Sequence, residues 1–253
     1  MLRTRVMPCL LLRGWGLVKT VRFQDPTYVG DPINTVRIYN EKEVDELIFL
    51  DITATPEKKD PPYQIITEIA SECFMPFAYG GGIRTVEQIR HIFGLGVEKI
   101  ALNTGAFRHP DFVTEAADRF GSQSIVVSID VKRHVLGRYR VHTCGGRDNT
   151  GLDPVTAARQ MEAAGAGEIL LTSIDRDGTF EGYDIDLIRQ VTAEVTIPVI
   201  ACGGAGSIED LGEAVHAGGA SAVAAGSMVV YQGPHRAVLI NFPRKDELQA
   251  VLE

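Results

Sequence analysis

Two pairs of adjacent glycines, each placed directly after an apolar segment, are the first residues whose spacing suggests a chemistry. Gly81-Gly82 follows one such segment and Gly203-Gly204 follows another, and a helix N-cap signal comes a few residues later in both cases. Glycine lets backbone N–H groups approach an anion closely, and the positive end of a helix adds to the attraction. Each pair therefore predicts a phosphate-binding turn, although such glycines also serve simply to permit a tight turn.

Asp130 is the leading candidate for proton transfer. It ends the apolar segment Ser124–Asp130, and a carboxylate at the C-terminal end of a buried strand is well placed to act as a general acid or base. A structural role, in which it caps a loop N–H, is the alternative. The sequence around Leu11 matches the sequence around Asp130, so leucine stands where a paired carboxylate would be expected. Leucine cannot transfer a proton, and chemistry that needs two carboxyl groups is disabled by this difference.

The elements that must position these residues are short strands alternating with helices. Eight segments rich in Val, Ile and Leu show continuous hydrophobicity, which is typical of parallel strands covered by helices. Eight such units in 253 residues predict one domain, residues 1–253, with the α/β fold of a (β/α)8 TIM barrel. The predicted strands are Val6–Leu12, Leu47–Asp51, Phe74–Tyr79, Lys99–Asn103, Ser124–Asp130, Glu168–Ile174, Ile197–Cys202 and Ala220–Ala225.

The two halves of the chain resemble each other. Gly81 and Gly203 are 122 residues apart, and the same separation holds for Pro76 and Pro198, Glu87 and Glu209, Gly96 and Gly218, and Glu46 and Glu168. A constant spacing of matched strand, turn and helix signals marks a duplicated unit, so the barrel is predicted to consist of two half-barrel repeats.

This symmetry places two phosphate-binding stations on one face of the barrel. Each half adds a second small turn after the next strand, Asn103-Thr104-Gly105 in the first and Ala225-Gly226-Ser227 in the second. The C-terminal ends of the strands form the active-site face of such barrels, and Asp130 is predicted to lie there between the stations. Two stations suit an elongated ligand with a phosphate at each end.

Composition excludes several classes of function. A formal net charge of −8 argues against nucleic-acid binding, which needs a basic surface. No apolar run is long enough to span a membrane. The four cysteines, Cys9, Cys73, Cys144 and Cys202, are scattered and form no metal-ligand pattern, which predicts buried thiols in a reduced, cytoplasmic protein without a metal.

Five motifs are spread along nearly the whole chain: Leu50-Asp51-Ile52-Thr53-Ala54, Gly80-Gly81-Gly82-Ile83, Gly145-Gly146-Arg147, the stretch from Gly165 to Gly178, and Gly203-Gly204-Ala205-Gly206. They are similar to the motifs of the cyclase subunit of imidazole glycerol phosphate synthase, the HisF family. The stretch Glu168–Thr179 is the most specific of them. The glycine motifs alone would also fit the sister isomerase of histidine biosynthesis.

The resemblance implies a lyase or cyclase activity without a cofactor. Ammonia would come from a separate, HisH-like glutaminase subunit docked on the N-terminal barrel face and would pass through the interior to a phosphorylated small molecule. Asp130 and Lys19 would be catalytic. One phosphate would be bound by Gly82, Asn103 and Thr104, and the other by Asp177, Gly178, Gly204, Ala225 and Gly226. A charged ring at the barrel floor would gate the ammonia; its members are Arg5, Glu46, Lys99 and Glu168, and a salt-bridged plug is the other reading of the same four residues.

The chain departs from the family pattern at several positions. Leu11 stands where family members carry one of two catalytic aspartates, and Cys202 and Gly226 stand where serine is common. Thr20 replaces a usual glycine in the first loop, beside Lys19 and Phe23. Trp15, the only tryptophan, lies in a changed turn, either as a loop anchor or as part of an altered substrate or partner surface.

These departures favour one function over two alternatives. The favoured hypothesis is a HisF-like paralogue that supplies ammonia to a sugar amidotransferase in surface-polysaccharide synthesis. The alternatives are a genuine cyclase of histidine biosynthesis and a non-catalytic activator of the glutaminase.

Overall fold

The computed structural model describes residues 4–233 and 235–253. Eight parallel strands pair in the order β6-β7-β8-β1-β2-β3-β4-β5, and β5 pairs with β6, so that the sheet closes into a barrel. The strands are β1 (Arg5–Arg13), β2 (Leu47–Asp51), β3 (Phe77–Gly80), β4 (Lys99–Leu102), β5 (Ile125–Arg133), β6 (Glu168–Ser173), β7 (Val199–Cys202) and β8 (Ala222–Ala225). The predicted TIM barrel is confirmed.

Helices connect the strands around the outside. The longer ones are α1 (Pro32–Glu41), α2 (Tyr63–Glu72), α3 (Val86–Gly94), α4 (Pro110–Phe120), α5 (Pro154–Ala163), α6 (Ile185–Thr192), α7 (Ile208–His216) and α8 (Lys245–Leu252), and a short helix, Thr104–Arg108, precedes α4. The predicted caps are present: Thr85 and Gln88 form a capping box at α3, as do Ser207 and Asp210 at α7. Asp153 caps α5 by accepting the Thr156 N–H at 2.9 Å. No helix in residues 4–233 and 235–253 has the length and apolar character of a membrane span.

Two hairpins extend the barrel mouth. Gly16–Val21 and Gln24–Gly30 form the first hairpin, after β1, and Tyr139–Thr143 pairs with Asp148–Asn149 in the second, after β5. Because β1 and β5 are the first strands of the two halves, the hairpins occupy equivalent places in the repeat.

The repeat is visible in the elements themselves. α1 and α5 begin 122 residues apart, as do α3 and α7. The strand register extends the equivalence: Leu11 pairs with Leu50, and Asp130 pairs with Thr172, which is 122 residues after Leu50. Leu11 and Asp130 therefore occupy equivalent positions, as predicted.

Four strands begin later than predicted, and one of them, β5, does so by a single residue, at Ile125 instead of Ser124. β3 starts at Phe77 and β7 at Val199, each immediately after a proline, whose missing N–H cannot join a strand ladder. Phe74, predicted to begin β3, lies outside the strand and is 85% exposed. β8 starts at Ala222 because the preceding Ala220 N–H still bonds back to α7.

The core has two layers, one between strands and helices and one inside the barrel. The inner layer lies between the floor and the mouth and is made of small or apolar side chains: Met7, Cys9, Ile48, Ala78, Ala101, Val126, Leu170, Ile200, Cys202, Ala222 and Ala224.

Candidate active site

A cavity of about 1010 Å³ opens at the C-terminal ends of the strands, on the face where the sequence predicted the site. Residues from all eight strands or their following loops line it. The structure brings together in this one cavity Lys19, Gly82, Asn103, Thr104, Asp130, Asp177, Gly178, Gly204 and Gly226. Ala225 differs from them, because its side chain packs into the core outside the barrel.

Asp130 is a buried carboxyl group with two hydrogen-bond donors. The Ser128 hydroxyl donates to its Oδ1 at 3.0 Å, and the Asn103 amide donates to its Oδ2 at 3.3 Å. Burial raises the pKa of Asp130 to about 7; the Ser128 hydrogen bond opposes this rise and the negative charge of Asp177 adds to it. A carboxyl group with a pKa near neutrality is suited to give and take protons.

Leu11 lines the same cavity and is 8% exposed. Its position is the half-barrel equivalent of Asp130, so the site holds one carboxyl group where a symmetric arrangement would hold two. An aliphatic side chain offers neither a proton nor a charge. The cavity wall on the β1 side is therefore chemically inert at this position.

The predicted first phosphate station, on the β3 and β4 side, is already hydrogen-bonded within the protein. The Gly82 N–H donates to the Thr55 hydroxyl at 3.1 Å. The Asn103 amide donates to the Ser128 carbonyl at 3.1 Å in addition to Asp130. The Thr104 hydroxyl donates to Asn103 Oδ1 at 3.2 Å and accepts the Cys144 N–H at 3.0 Å.

The second station, on the β6 to β8 side, is built from glycines that admit no side chain. A Cβ on Gly178 would lie 2.2 Å from the Thr20 carbonyl oxygen, and a Cβ on Gly204 would lie 2.1 Å from the Gly182 carbonyl oxygen. Asp177 already donates its N–H to the Ser173 carbonyl at 3.0 Å. Its side chain accepts the Thr20 hydroxyl at 2.9 Å, which ties the first hairpin to this station.

Lys19 lies on the first hairpin and points into the cavity. It is 4% exposed, and a Cβ on Gly226 would lie 2.1 Å from its Nζ. The hairpin is held in place by the Arg22 N–H, which donates to the Asp177 carbonyl at 2.8 Å, and by the Phe23 ring, which packs against Gly146. Trp15, in the turn that precedes this hairpin, is 60% exposed.

All four cysteines are free thiols. Cys9 and Cys202 are buried as predicted and both line the cavity, whereas Cys73 and Cys144 are half-buried. A hydrogen bond with Cys9 and burial together raise the pKa of Cys202. Cys202 therefore adds no charge to the second station.

A ring of four charges closes the barrel floor. Arg5 bonds Glu46 at 2.6 Å and Glu168 at 2.8 Å. Lys99 completes the ring with Nζ to oxygen distances of 3.0 Å to Glu46 and 3.2 Å to Glu168. Cations and anions alternate, so each charge has two opposite neighbours, and the structure brings together all four residues predicted to form the ring.

Ser128 and Thr55 are the site residues that sequence reasoning missed. Ser128 precedes Asp130 by two residues on one strand, and this spacing alone places both side chains on the inner face. Thr55 had no such signal, because its contact with Gly82 joins two different loops.

Fold and site define a class of protein: a (β/α)8 barrel of duplicated half-barrels, with one buried carboxyl group and glycine-built turns at its mouth and a charged ring at its floor. The model of the histidine biosynthesis protein family matches residues 5–235. The chain belongs to this family, and within it the chain is HisF-like.

Individual relatives agree with this assignment. A Pseudomonas aeruginosa protein provisionally named imidazole glycerol phosphate synthase subunit hisF2 is 52% identical to this chain. The aligned region covers 98% of the chain and 99% of that protein. A Leptospira interrogans protein provisionally named subunit HisF of the same synthase is 46% identical to this chain. The aligned region covers 99% of each protein. The imidazole glycerol phosphate synthase subunit HisF of Alkaliphilus metalliredigens is 45% identical to this chain. The aligned region covers 91% of the chain and 92% of that protein.

Proposed function

We propose that this chain receives ammonia from a glutaminase subunit and delivers it, through the barrel, to an enzyme that amidates a sugar for surface-polysaccharide synthesis. The single observation that carries the proposal is Leu11 opposite Asp130 in a barrel whose floor ring is complete. A chain that keeps the ammonia entrance but lacks one of two proton-transferring groups is suited to supplying ammonia rather than to cyclisation.

The floor supports the entrance of ammonia. The ring of Arg5, Glu46, Lys99 and Glu168 spans the N-terminal end of the barrel, where a glutaminase subunit would dock. Phe74 lies in a loop at this same end and is 85% exposed, so it is within reach of such a partner. The same four ion pairs would serve as the gate of the route, which would open when one cation, such as Lys99, separates from both Glu46 and Glu168.

The interior supports the passage of neutral ammonia. The side chains between the ring and the cavity are small or apolar and offer no charge to an ammonium ion. Moving a charged ion through an apolar interior costs far more than moving a neutral molecule. The lining therefore favours ammonia over ammonium and excludes a bulk-water path for the cation.

The mouth supports the loss of cyclase chemistry, with one observation favouring a second function. Asp130 remains buried beside Ser128 and Asn103, and its pKa of about 7 is suited to acid or base catalysis. A genuine cyclase of histidine biosynthesis, which would use Asp130 with Lys19, is therefore the second candidate. Leu11 counts against it because the partner carboxyl group is absent.

Turnover of the bisphosphate substrate of the histidine-pathway cyclase, with ammonium salts as the nitrogen source, separates the two functions. We expect no turnover by the natural chain and a measurable rate for Leu11→Asp, because the substitution restores the second carboxyl group opposite Asp130. Leu11→Asn, which places a polar side chain of the same shape at this position without a carboxyl group, is the matched control and should remain inactive. Turnover by the natural chain at a rate that supports growth without histidine would overturn the proposal.

A further inference from the structure

Cys9 and Cys202 are two buried thiols that meet across one strand. Cys9 lies on β1 and Cys202 on β7, and β8 runs between these two strands in the barrel. The inward residue of β8 beside them is Ala224, the register partner of Cys202. Because the side chain of Ala224 is only a methyl group, the two cysteine side chains reach each other above it, and the Cys202 thiol is hydrogen-bonded to Cys9.

The pair lies where the barrel interior opens into the cavity. Both cysteines belong to the apolar inner layer, and both also line the cavity, as does Ala224. Cys9 is 3% exposed and Cys202 is 9% exposed, and the open cavity gives a small molecule a path to them. The Lys19 ammonium is close by, because a Cβ on Gly226 would lie 2.1 Å from Lys19 Nζ and 3.4 Å from the Cys9 carbonyl oxygen.

The surroundings of Cys9 favour its thiolate. The hydrogen bond with Cys202 lowers the pKa of Cys9, burial opposes this, and the positive charge of Lys19 lowers the pKa further. The negative charges of Asp177 and Asp130 act more weakly in the opposite direction. The same hydrogen bond and burial raise the pKa of Cys202. One sulfur is therefore suited to attack as a thiolate, while the other keeps its proton.

We propose that Cys9 and Cys202 are a redox-active pair that a small hydroperoxide, such as hydrogen peroxide, converts to a disulfide between β1 and β7. The Cys9 thiolate attacks one peroxide oxygen, the O–O bond breaks, and the released hydroxide takes up the proton that Cys9 has lost, which gives water and a sulfenic acid on Cys9. The Cys202 sulfur then forms the S–S bond, and its proton leaves with the sulfenic hydroxyl as a second water. The two sulfurs lose two electrons in all, and the peroxide gains them.

Treatment of the reduced, folded chain with hydrogen peroxide, followed by alkylation of the remaining thiols and peptide mass spectrometry, tests this assignment. We expect Cys73 and Cys144 to stay free and the peptides of Cys9 and Cys202 to be joined by a disulfide that dithiothreitol reverses. Exposure alone would give the opposite order of reaction, because Cys73 and Cys144 are the more exposed thiols. Loss of the Cys73 or Cys144 thiol as fast as that of Cys9, or absence of the joined peptides, would overturn the proposal.

Three variants separate the roles of the two sulfurs and the nearby charge. Cys202→Ser should stop at the sulfenic acid on Cys9, which dimedone traps, because no second thiol is present. Cys9→Ser should slow the oxidation of Cys202 at least about 10-fold, since the Cys202 thiol keeps its proton. Lys19→Gln should move the pH profile of disulfide formation to higher pH, since the charge that favours the Cys9 thiolate is gone.

Cys73→Ser is the matched control, because it removes a thiol that lies outside the cavity, and it should form the disulfide at the natural rate. Oxidation of Cys9→Ser at the natural rate would contradict the role of Cys9. A disulfide that forms equally fast in the urea-unfolded chain would show that the folded geometry plays no part, and would also contradict the proposal. The assay needs neither glutaminase nor acceptor enzyme, so its outcome is independent of whether the barrel conducts ammonia.

Discussion

Asp130 and Leu11 occupy equivalent positions in the two half-barrels, but only Asp130 has a polar environment. Ser128 and Asn103 donate to its two oxygens, while the rest of its surroundings is buried. The sequence placed Asp130 correctly at the mouth because a strand-end position needs only the strand assignment. Its pKa could not be predicted in this way, since Asn103 comes from another strand and the degree of burial depends on the closed barrel.

The raised pKa of Asp130 makes a prediction about stability. Its pKa of about 7 in the folded chain lies above the 3.8 of an aspartate in water, so between these pH values the folded state binds more protons than the unfolded state. In acid, Asp130 is protonated in both states and lowers the free energy of unfolding little. As the pH rises, the need to keep this group protonated or to ionise it while buried lowers the free energy of unfolding further, by roughly 4 kcal/mol above pH 7. Asp130→Asn removes the cost and should stabilise the chain increasingly with pH.

Urea unfolding at about pH 5 and about pH 8 measures this effect. The stability gained by Asp130→Asn should be larger at the higher pH by roughly 2–3 kcal/mol. Asp118→Asn, which alters an exposed carboxylate on α4, is the control and should show a small change at both pH values. A gain from Asp130→Asn that is the same at both pH values would contradict the prediction.

Among the elements, the first hairpin depends on contacts that local sequence patterns do not contain. It rests on the loop after β6 through the Thr20 hydroxyl bond to Asp177 and the Arg22 N–H bond to the Asp177 carbonyl. The resemblance placed Lys19 and Phe23 in a first loop, but the paired strands of the hairpin were not predicted. Local signals worked better for helices, whose caps at Thr85, Asp153 and Ser207 act within a few residues.

Gly178 is a point at which the backbone of the hairpin closely approaches the loop after β6. A methyl group there would lie 2.2 Å from the Thr20 carbonyl oxygen, and the backbone has a φ of +72°. Gly178→Ala should therefore lower the free energy of unfolding in two ways, by straining the backbone and by pushing the hairpin away from the barrel. Gly145→Ala shares the positive φ, +65°, but has no atom within 4 Å of the new Cβ.

The difference in the free energy of unfolding between these two variants measures the effect of the hairpin contact alone, because both variants strain the backbone. We expect Gly145→Ala to lower the free energy of unfolding by about 1 kcal/mol and Gly178→Ala by roughly 1–3 kcal/mol more. Amide hydrogen exchange in Gly16–Val21 should become faster in Gly178→Ala alone, because the hairpin opens without global unfolding. Equal unfolding energies and equal exchange would show that the contact does not hold the hairpin.

For the whole molecule, the duplicated half-barrel explains which predictions succeeded. A spacing of 122 residues located the glycine turns and the helices. The equivalence of Leu11 and Asp130, which are 119 residues apart, follows from the matching sequences of the two first strands and from their register. The hydrogen bonds that Gly82, Asn103 and Thr104 make within the protein were beyond this reasoning. They arise where the halves differ, and such differences depend on contacts between loops that lie far apart in the chain.

The floor ring connects the two halves through charge. Glu46 belongs to one half and Glu168 to the other, and both cations bridge them. Lys99→Met removes one bridge and leaves two largely buried carboxylates with a single cation. Because an unpaired buried charge is costly, the free energy of unfolding should fall by roughly 2–3 kcal/mol in urea denaturation.

Arg108→Met is the control for this variant, because Arg108 and Asp148 form an ion pair at 3.2 Å in which both side chains are more than half exposed. It should cost less than about 1 kcal/mol, since solvent replaces the lost partner. A ring whose members were only solvated surface charges would give equal losses in the two variants.

If the ring is also the gate, Lys99→Met in complex with a glutaminase should release more glutamine-derived ammonia to the medium than Arg108→Met, because an incomplete ring no longer controls entry to the barrel.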